Sequence, residues 1–434
     1  MNNTITTREA ITLLQEEAFA ASGMTYYDVQ SFYKREQERI RQFNVDNPGY
    51  LRSEEELLAR DPSLHYLETD LSKRFVDDVP GLPYQHPYLY TWLQDTVRYC
   101  NEKTGRTQKG LSNIILATAP TGLFNAIALP GETESGIILE DGLLNVASHY
   151  ANELAFLFYE KLEDGRYCEL EGDELKQHIE ANKETLDYLA EVIWQYIIEG
   201  YSTLPGPVGA TSEEDFSIRH VLRQDFILFV LEHECFHIDW WHSNGVHGKH
   251  PFDKRYEQMW QFYERHLASV LPDNDKLTYD QFERIYYAQQ EELLADFAAF
   301  QVVMMMGEKQ RTFTASVKGA LLFFVMAELI QHLLFLLNDP DFVDKLATYD
   351  GSVLALTAIA AKESHPYAFL RKASLLNLIR QSHPLYLQSV ENESAKMDFI
   401  IESVKKLLDE KVATATTPPI PHAKWSALEK FNAL

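Results

Sequence analysis

The stretch LEHECFHIDWWH spans residues 231–242, and its reading decides how the rest of the chain is understood. In a helix, positions i and i+4 point the same way, so His233 and His237 offer their imidazoles to one point in space. Glu234 lies beside that point. Histidines and a glutamate in the order HExxH hold a zinc ion and place a general base next to it. Zinc lowers the pKa of a water it binds from about 15.7 to about 7, so a carboxylate can take the proton at neutral pH. The surrounding VLRQDFILFVLEHECFHIDWW is strongly apolar. A helix of this character is buried, and each polar group it leaves unpaired there costs free energy.

A catalytic zinc takes three protein ligands and keeps one position open. A downstream histidine in the pattern HExxHxxGxxH is not available. Trp240 stands at the glycine position, Ser243 at the histidine position, and His242 falls one residue early. The other source is a carboxylate on a separate helix, and QQEELLADFAAF (289–300) supplies it. Glu292 and Asp296 are four apart and share a face. Glu292 is the candidate metal ligand, and Asp296 the candidate acceptor for the outer N–H of a ligand histidine. Glu291 points away on this register. Without the histidines, the same acids would read as the solvated start of a helix.

Composition narrows the function classes. The chain has 434 residues, 45% of them hydrophobic, which suffices for one large domain or two ordinary ones. Its formal net charge of −26 repels phosphate backbones and anionic lipid, so no nucleic-acid partner is expected. Cys100, Cys168 and Cys235 form neither an even framework nor a CxxC pair, which fits free thiols and a cytoplasmic setting. The N-terminus has acids early and no continuous apolar run, so it does not read as a signal peptide. The longest apolar stretch, ALLFFVMAELIQHLLFLL (320–337), carries Glu328, Gln331 and His332. It reads as a buried helix rather than a membrane span. Glu328 and His332 are expected to be a mutually satisfied pair near the site.

The expected fold is mainly α with a small β-sheet (α+β). Residues 1–106 form a helical N-terminal region, with apolar residues at three- and four-residue spacing over 26–43 and a helix over 86–105. SNIILATA (112–119), GLFNAIALPG (122–131) and SGIILEDG (135–142) are short, apolar and bounded by turn residues, so they read as strands. Helical period returns in DGLLNVASHYANELAFLFYEKL and over 173–200. A Pro/Gly/Ser-rich loop follows at 201–215. Further helices are expected from about 216 to a stop at Asn244–Gly245, and over 277–308, 314–337, 366–381 and 391–411. Residues 412–434 read as a linker and tail. His242, His247 and His250 read as solvated histidines rather than a second metal site. Cys235 and Met304–Met306 read as core.

HECFH followed by ELLAD resembles the HExxH and ExxAD pair of the gluzincin zinc metallopeptidases. LFNAIALPG with GIILEDGLL resembles a stretch of the CAAX-prenyl-protease-like family, where it forms strands and a turn beside the active-site cleft. SHPYAFLRKASLL resembles that family's HPxxxxR element, here His365, Pro366 and Arg371. The soluble phage-exclusion proteases share a similar layout. The resemblance covers roughly residues 110–375. It implies a zincin-like metallopeptidase domain over 107–411, with a helical insertion near 160–220 that departs from the family pattern. It further implies Zn2+ held by His233, His237 and Glu292, Glu234 as base, and His365 or Arg371 near the substrate. The expected activity is a soluble zinc endopeptidase acting on a protein or peptide, latent or narrowly specific, with a regulatory partner and a role in bacterial defence or stress. The other reading is a non-enzymatic scaffold with a structural metal or none.

Overall fold

The computed structural model describes residues 5–21, 114–120, 126–162, 167–200, 216–244, 253–266, 276–310, 312–338, 366–416 and 419–422, with scattered positions in 23–38 and single ones at 84, 93, 96, 268 and 340. The helix expected at 86–105, the loop at 201–215, His247, His250 and His365 lie wholly or almost wholly outside these residues.

The three predicted strands are β1 (Ile114–Ala119), β2 (Ala126–Leu129) and β3 (Ser135–Glu140). They form one mixed sheet in the order β1-β3-β2. β1 runs parallel to β3, in register from Ile114↔Ser135 to Ala119↔Glu140, and β2 runs antiparallel to β3. Helix α1 (Thr7–Ala21) covers one face. There Ile11 and Ala18 meet Ile115, Ala117, Ala119 and Ile138. The alternate residues Ile114, Leu116, Ile137 and Leu139 enter the main core on the other face. Such strands are apolar throughout because both faces are covered, and the side-chain period of two sorts them. Gln15 donates from its side chain to the Thr118 carbonyl at 2.9 Å, and the Thr7 hydroxyl to that of Glu134 at 2.6 Å, fixing α1 in place.

From β3 the chain enters α2 (Asp141–Phe158). It leaves helix at Tyr159, earlier than the sequence pattern indicates, to form a hairpin of β4 (Tyr159–Lys161) and β5 (Tyr167–Glu169). The segment expected as one helix over 173–200 is two, α3 (Gly172–Ala181) and α4 (Lys183–Ile198), broken at Asn182. The Asn182 side chain donates to the His178 carbonyl at 2.7 Å, a local bond that competes with continuation of the helix. Past the end of α4, Gly200 takes φ +83°, and a Cβ there would meet the His422 ring at 2.8 Å.

The long helices are α5 (Phe216–Asn244), α6 (Asp253–His266), α7 (Tyr279–Gln310), α8 (Phe313–Asn338), α9 (Ala368–Ser382) and α10 (Pro384–Thr414). Helix α6 is absent from the sequence expectation, and α10 begins at Pro384, seven residues before the expected 391. Helix α8 is the axis of the bundle and packs against α5, α7, α9, α10 and α4. Every residue from Ala315 to Met326 is buried, which is why its sequence is apolar all round. By length and composition alone this helix could cross a membrane; here its first half is core. Lys318 sits fully buried within it, paired with Glu169 at 2.6 Å and Glu393 at 2.5 Å, so β5 and α10 are tied to α8 through one ammonium. Glu328 and His332 do not pair with each other. Glu328 binds Lys372 and Lys405, and His332 binds Asp409. Cys235, Met304 and Met306 are core, as expected.

Candidate metal centre

Two helices carry the site. Helix α5 presents His233, Glu234 and His237 on adjoining positions, and α7, packed beside it, presents Glu291, Glu292 and Asp296. The two histidine Nε2 atoms lie 3.1 Å apart. Glu292 spans both: Oε2 is 3.2 Å from His233 Nε2, and Oε1 is 3.2 Å from His237 Nε2. The three side chains thus bring their ligand atoms to one point, all within 4.8 Å of one another.

The spacing tests whether a metal fits. Nitrogen and oxygen ligands sit about 2.0–2.2 Å from zinc, which in a tetrahedron places them about 3.3 Å from one another. The 3.1 Å between the two imidazole nitrogens is close to that edge length, and each Glu292 oxygen stands 3.2 Å from one of them. Charge gives a second test. Glu234, Glu291, Glu292 and Asp296 bring four carboxylates to the two imidazoles, and Arg371 brings one positive charge. Burying that excess of negative charge is costly without added cations. The histidines register the same demand. Burial pulls both imidazoles toward lower pKa, yet the Glu292 carboxylate, aided by Asp296 at His233 and Glu291 at His237, more than reverses this. Both end above the ordinary range. A divalent cation meets the demand that two protons would otherwise meet. Residues and group therefore fit.

A carboxylate stands beside each outer nitrogen, though only that of His237 has hydrogen-bond geometry. His233 Nδ1 lies 3.1 Å from Asp296 Oδ1, the contact the sequence spacing predicts. His237 Nδ1 lies 2.9 Å from Glu291 Oε1. The expectation that Glu291 points away is thus corrected. Helical register gives a direction on one helix, whereas the crossing of α7 over α5 lets the neighbouring residues 291 and 292 reach His237 from two sides. A polar group on each ligand's outer nitrogen fixes its tautomer and ring plane.

Glu234 is 3% exposed, and its Oε1 has no hydrogen-bond partner among the described residues. Burial raises its pKa, opposed by the nearby histidines. Arg371, on α9, is not at the surface. Its Nε and Nη2 donate to the two oxygens of Asp296 at 2.8 and 2.6 Å, and its guanidinium lies 5.1 Å over the Phe323 ring. The Arg371 charge, outweighing burial, holds the Asp296 carboxyl below its usual range. Arg371 therefore positions Asp296, which in turn faces His233. Neither α9 nor this pairing is visible in the HExxH motif itself. His242, near the end of α5, lies 3.5 Å from the Ser135 hydroxyl on β3 and outside the metal-ligand group.

The His233, His237 and Glu292 group is a possible metal site in a mainly helical protein. No protein-family model, curated protein or solved structure matches the chain.

Proposed function

We propose that this chain is a zinc-dependent peptide-bond hydrolase in which His233, His237 and Glu292 hold the metal and Glu234 is the general base. The observation that carries the reading is the Glu234 carboxylate: buried, raised in pKa, and with an oxygen unpartnered beside three converging ligand atoms. Two imidazoles and one carboxylate are a zinc donor set with room for a fourth ligand. A bound zinc would acidify water and polarise the scissile carbonyl.

The rest falls to the chain's own residues. Glu234 accepts the proton of the attacking water as the water oxygen bonds to the carbonyl carbon. It returns that proton to the leaving nitrogen as the C–N bond breaks. Its raised pKa suits both halves of the transfer. Glu291, Asp296 and Arg371 hold the imidazoles in orientation. Helix α5 packs against β2, the strand at one edge of the described sheet. That arrangement supports an extended peptide as substrate, bound by main-chain hydrogen bonds to the strand.

The test is Glu234→Gln. It is expected to keep about one zinc per chain and to lose chelator-sensitive cleavage of peptides by at least a hundredfold. Cleavage retained in that variant would remove Glu234 from its role. Unfolding on chelation, with no cleavage by the zinc-loaded wild type, would make the metal structural.

A further inference from the structure

Helix α1 is joined to the rest of the molecule by a small core of its own. Ile11 and Ala18 pack with Ile115, Ala117, Ala119 and Ile138 in a cluster separate from the main core. The helix also starts by itself. Thr6 and Glu9 close a capping box: the Glu9 carboxylate accepts the Thr6 N–H at 2.8 Å, and the Thr6 hydroxyl accepts the Glu9 N–H at 3.3 Å. A segment with its own helix start and a small separate core opens at lower cost than the bundle that carries the metal ligands.

What α1 holds is the turn between β2 and β3. The Thr7 hydroxyl donates to the Glu134 carbonyl at 2.6 Å, and the Arg8 guanidinium reaches the Glu134 carboxylate at 3.3 and 3.4 Å. The approach leaves no room for side chains. A Cβ on Gly131 would stand 2.5 Å from Thr7 Oγ1, and one on Gly136 would stand 2.7 Å from Ile11 Cδ1. On its other flank the same turn faces the metal-bearing helix. Ser135 Oγ accepts the Gly131 N–H at 3.3 Å and stands 3.5 Å from His242 Nε2 near the end of α5. Strand β2 is divided in the same way: Ile127 and Leu129 pack on the α1 cluster, Ala126 and Ala128 on the main core. Its four residues pair with β3, so its distance from α5 depends on the turn and on what covers its outer face.

We infer that α1 is a positioning clasp for the substrate strand. While docked, it holds the β2–β3 turn, and through it β2, at a fixed distance from α5. When it lifts off, peptide binding weakens while the metal centre stands. The inference rests on the hydrolase reading, in which β2 receives an extended peptide, and adds to it a means of control remote from the metal. The coupling is reciprocal: whatever docking of α1 contributes to peptide affinity, bound peptide returns as tighter docking of α1.

Ile11→Asp puts a charge into the small core and lifts α1 without altering the sheet or the site. Hydrogen exchange, read by mass spectrometry, is expected to quicken over residues 7–21 and 126–139. It is expected to keep the wild-type rate over 226–240 and 289–300, with zinc affinity unchanged. The peptide probe is a library of capped decapeptides, scored for cleavage by zinc-loaded wild type and for binding to zinc-loaded Glu234→Gln. For a peptide so selected, Ile11→Asp is expected to raise KM, and Kd in the Glu234→Gln background, by about fivefold or more, with kcat little changed. Adding that peptide to Glu234→Gln is expected to slow exchange over 7–21. Thr7→Val keeps the shape and removes one hydrogen bond. It replaces Ile11→Asp should that variant fail to fold, and it must move KM and exchange in the same direction. Exchange that quickens over 7–21 alone, or KM and Kd unchanged once α1 is loose, overturns the clasp. Zinc loss, or faster exchange throughout the chain, makes α1 part of the general fold and overturns it too. Binding weakened by Ile11→Asp, with no cleavage by wild type, supports the clasp and sinks the hydrolase. Neither cleavage nor binding overturns both.

Discussion

Arg371 grips Asp296 through two parallel hydrogen bonds of 2.8 and 2.6 Å, and both residues are buried. The other side of Asp296 faces His233 Nδ1. The guanidinium thus acts on the metal-ligand group through one carboxylate. Lysine cannot reproduce the two-pronged geometry. Breaking a buried ion pair by removing one partner costs about 3–5 kcal/mol, and loss of an outer contact costs about 10–100-fold in metal affinity. Arg371→Lys is therefore expected to lower both the melting temperature of the metal-free protein and zinc affinity, and Arg371→Met to lower them further. Competition with a chromophoric chelator measures the second quantity. Zinc affinity equal to wild type in a folded Arg371→Lys protein would confine the pair to stability.

Glu291 offers the contrasting case. It holds His237 Nδ1 at 2.9 Å, but its side chain is 26% exposed, so solvent screens its charge. What matters there is the acceptor oxygen. Glu291→Gln keeps an acceptor and is expected to stay within a few-fold of wild-type zinc affinity. Glu291→Ala leaves the ring unheld and is expected to lose about tenfold or more. Equal losses in both would show that charge, rather than orientation, is the contribution.

The pH dependence of the metal-free and metal-loaded proteins should run in opposite directions. His233 and His237 have folded pKa values above the ordinary level, held there against burial by Glu292 and its neighbours. In the metal-free protein, that stabilisation is fully present below the unfolded value of about 6.5. It is lost as pH rises through the folded pKa. Metal requires deprotonated imidazoles, so zinc binding releases protons and tightens as pH rises. The gain in melting temperature on adding zinc is expected to grow from pH 6 to pH 8. Calorimetry in buffers of different ionisation enthalpy would count the protons released. A pH-independent zinc shift would mean that the imidazoles are already neutral in the metal-free site.

The site was legible where one helix sufficed to specify it. The i, i+4 pairs His233/His237 and Glu292/Asp296 each lie within a single helix, and the structure brings the two pairs together. The three strands were legible because β-branched runs bounded by Pro, Gly and Asp leave few alternatives. What escaped depends on how elements meet. Glu291 reaches His237 because of a helix crossing, Arg371 reaches Asp296 across 75 residues, and Lys318 reaches Glu169 across 149. Short elements escaped for a different reason. The hairpin Tyr159–Lys161 with Tyr167–Glu169 follows a helical pattern without a break residue, and Asn182 interrupts an apolar period that continues on both sides.

One buried acid lies outside the site and makes a prediction of its own. Asp225 sits where α5 crosses α8, with its Cβ 2.8 Å from where a Cβ on Gly319 would be, so the glycine lets the two helices approach closely. Burial pushes its carboxyl up from 3.8 to about 7, with the Ser316 hydroxyl pulling weakly the other way. A carboxyl whose folded pKa lies above its unfolded value favours the fold in its protonated form. That advantage is fully present below the unfolded value and is lost as pH rises through about 7. A rise of this size corresponds to roughly 4 kcal/mol as an upper bound. Asp225→Asn removes the titration while keeping the shape. Urea midpoints of the two proteins, measured in steps from pH 4 to pH 8, are expected to diverge from the unfolded value of 3.8 up to about 7, with the variant gaining on the wild type through that window and running parallel to it above. Parallel curves would mean that Asp225 is ionised in the fold across the whole range, stabilised by its neighbours well enough to offset burial.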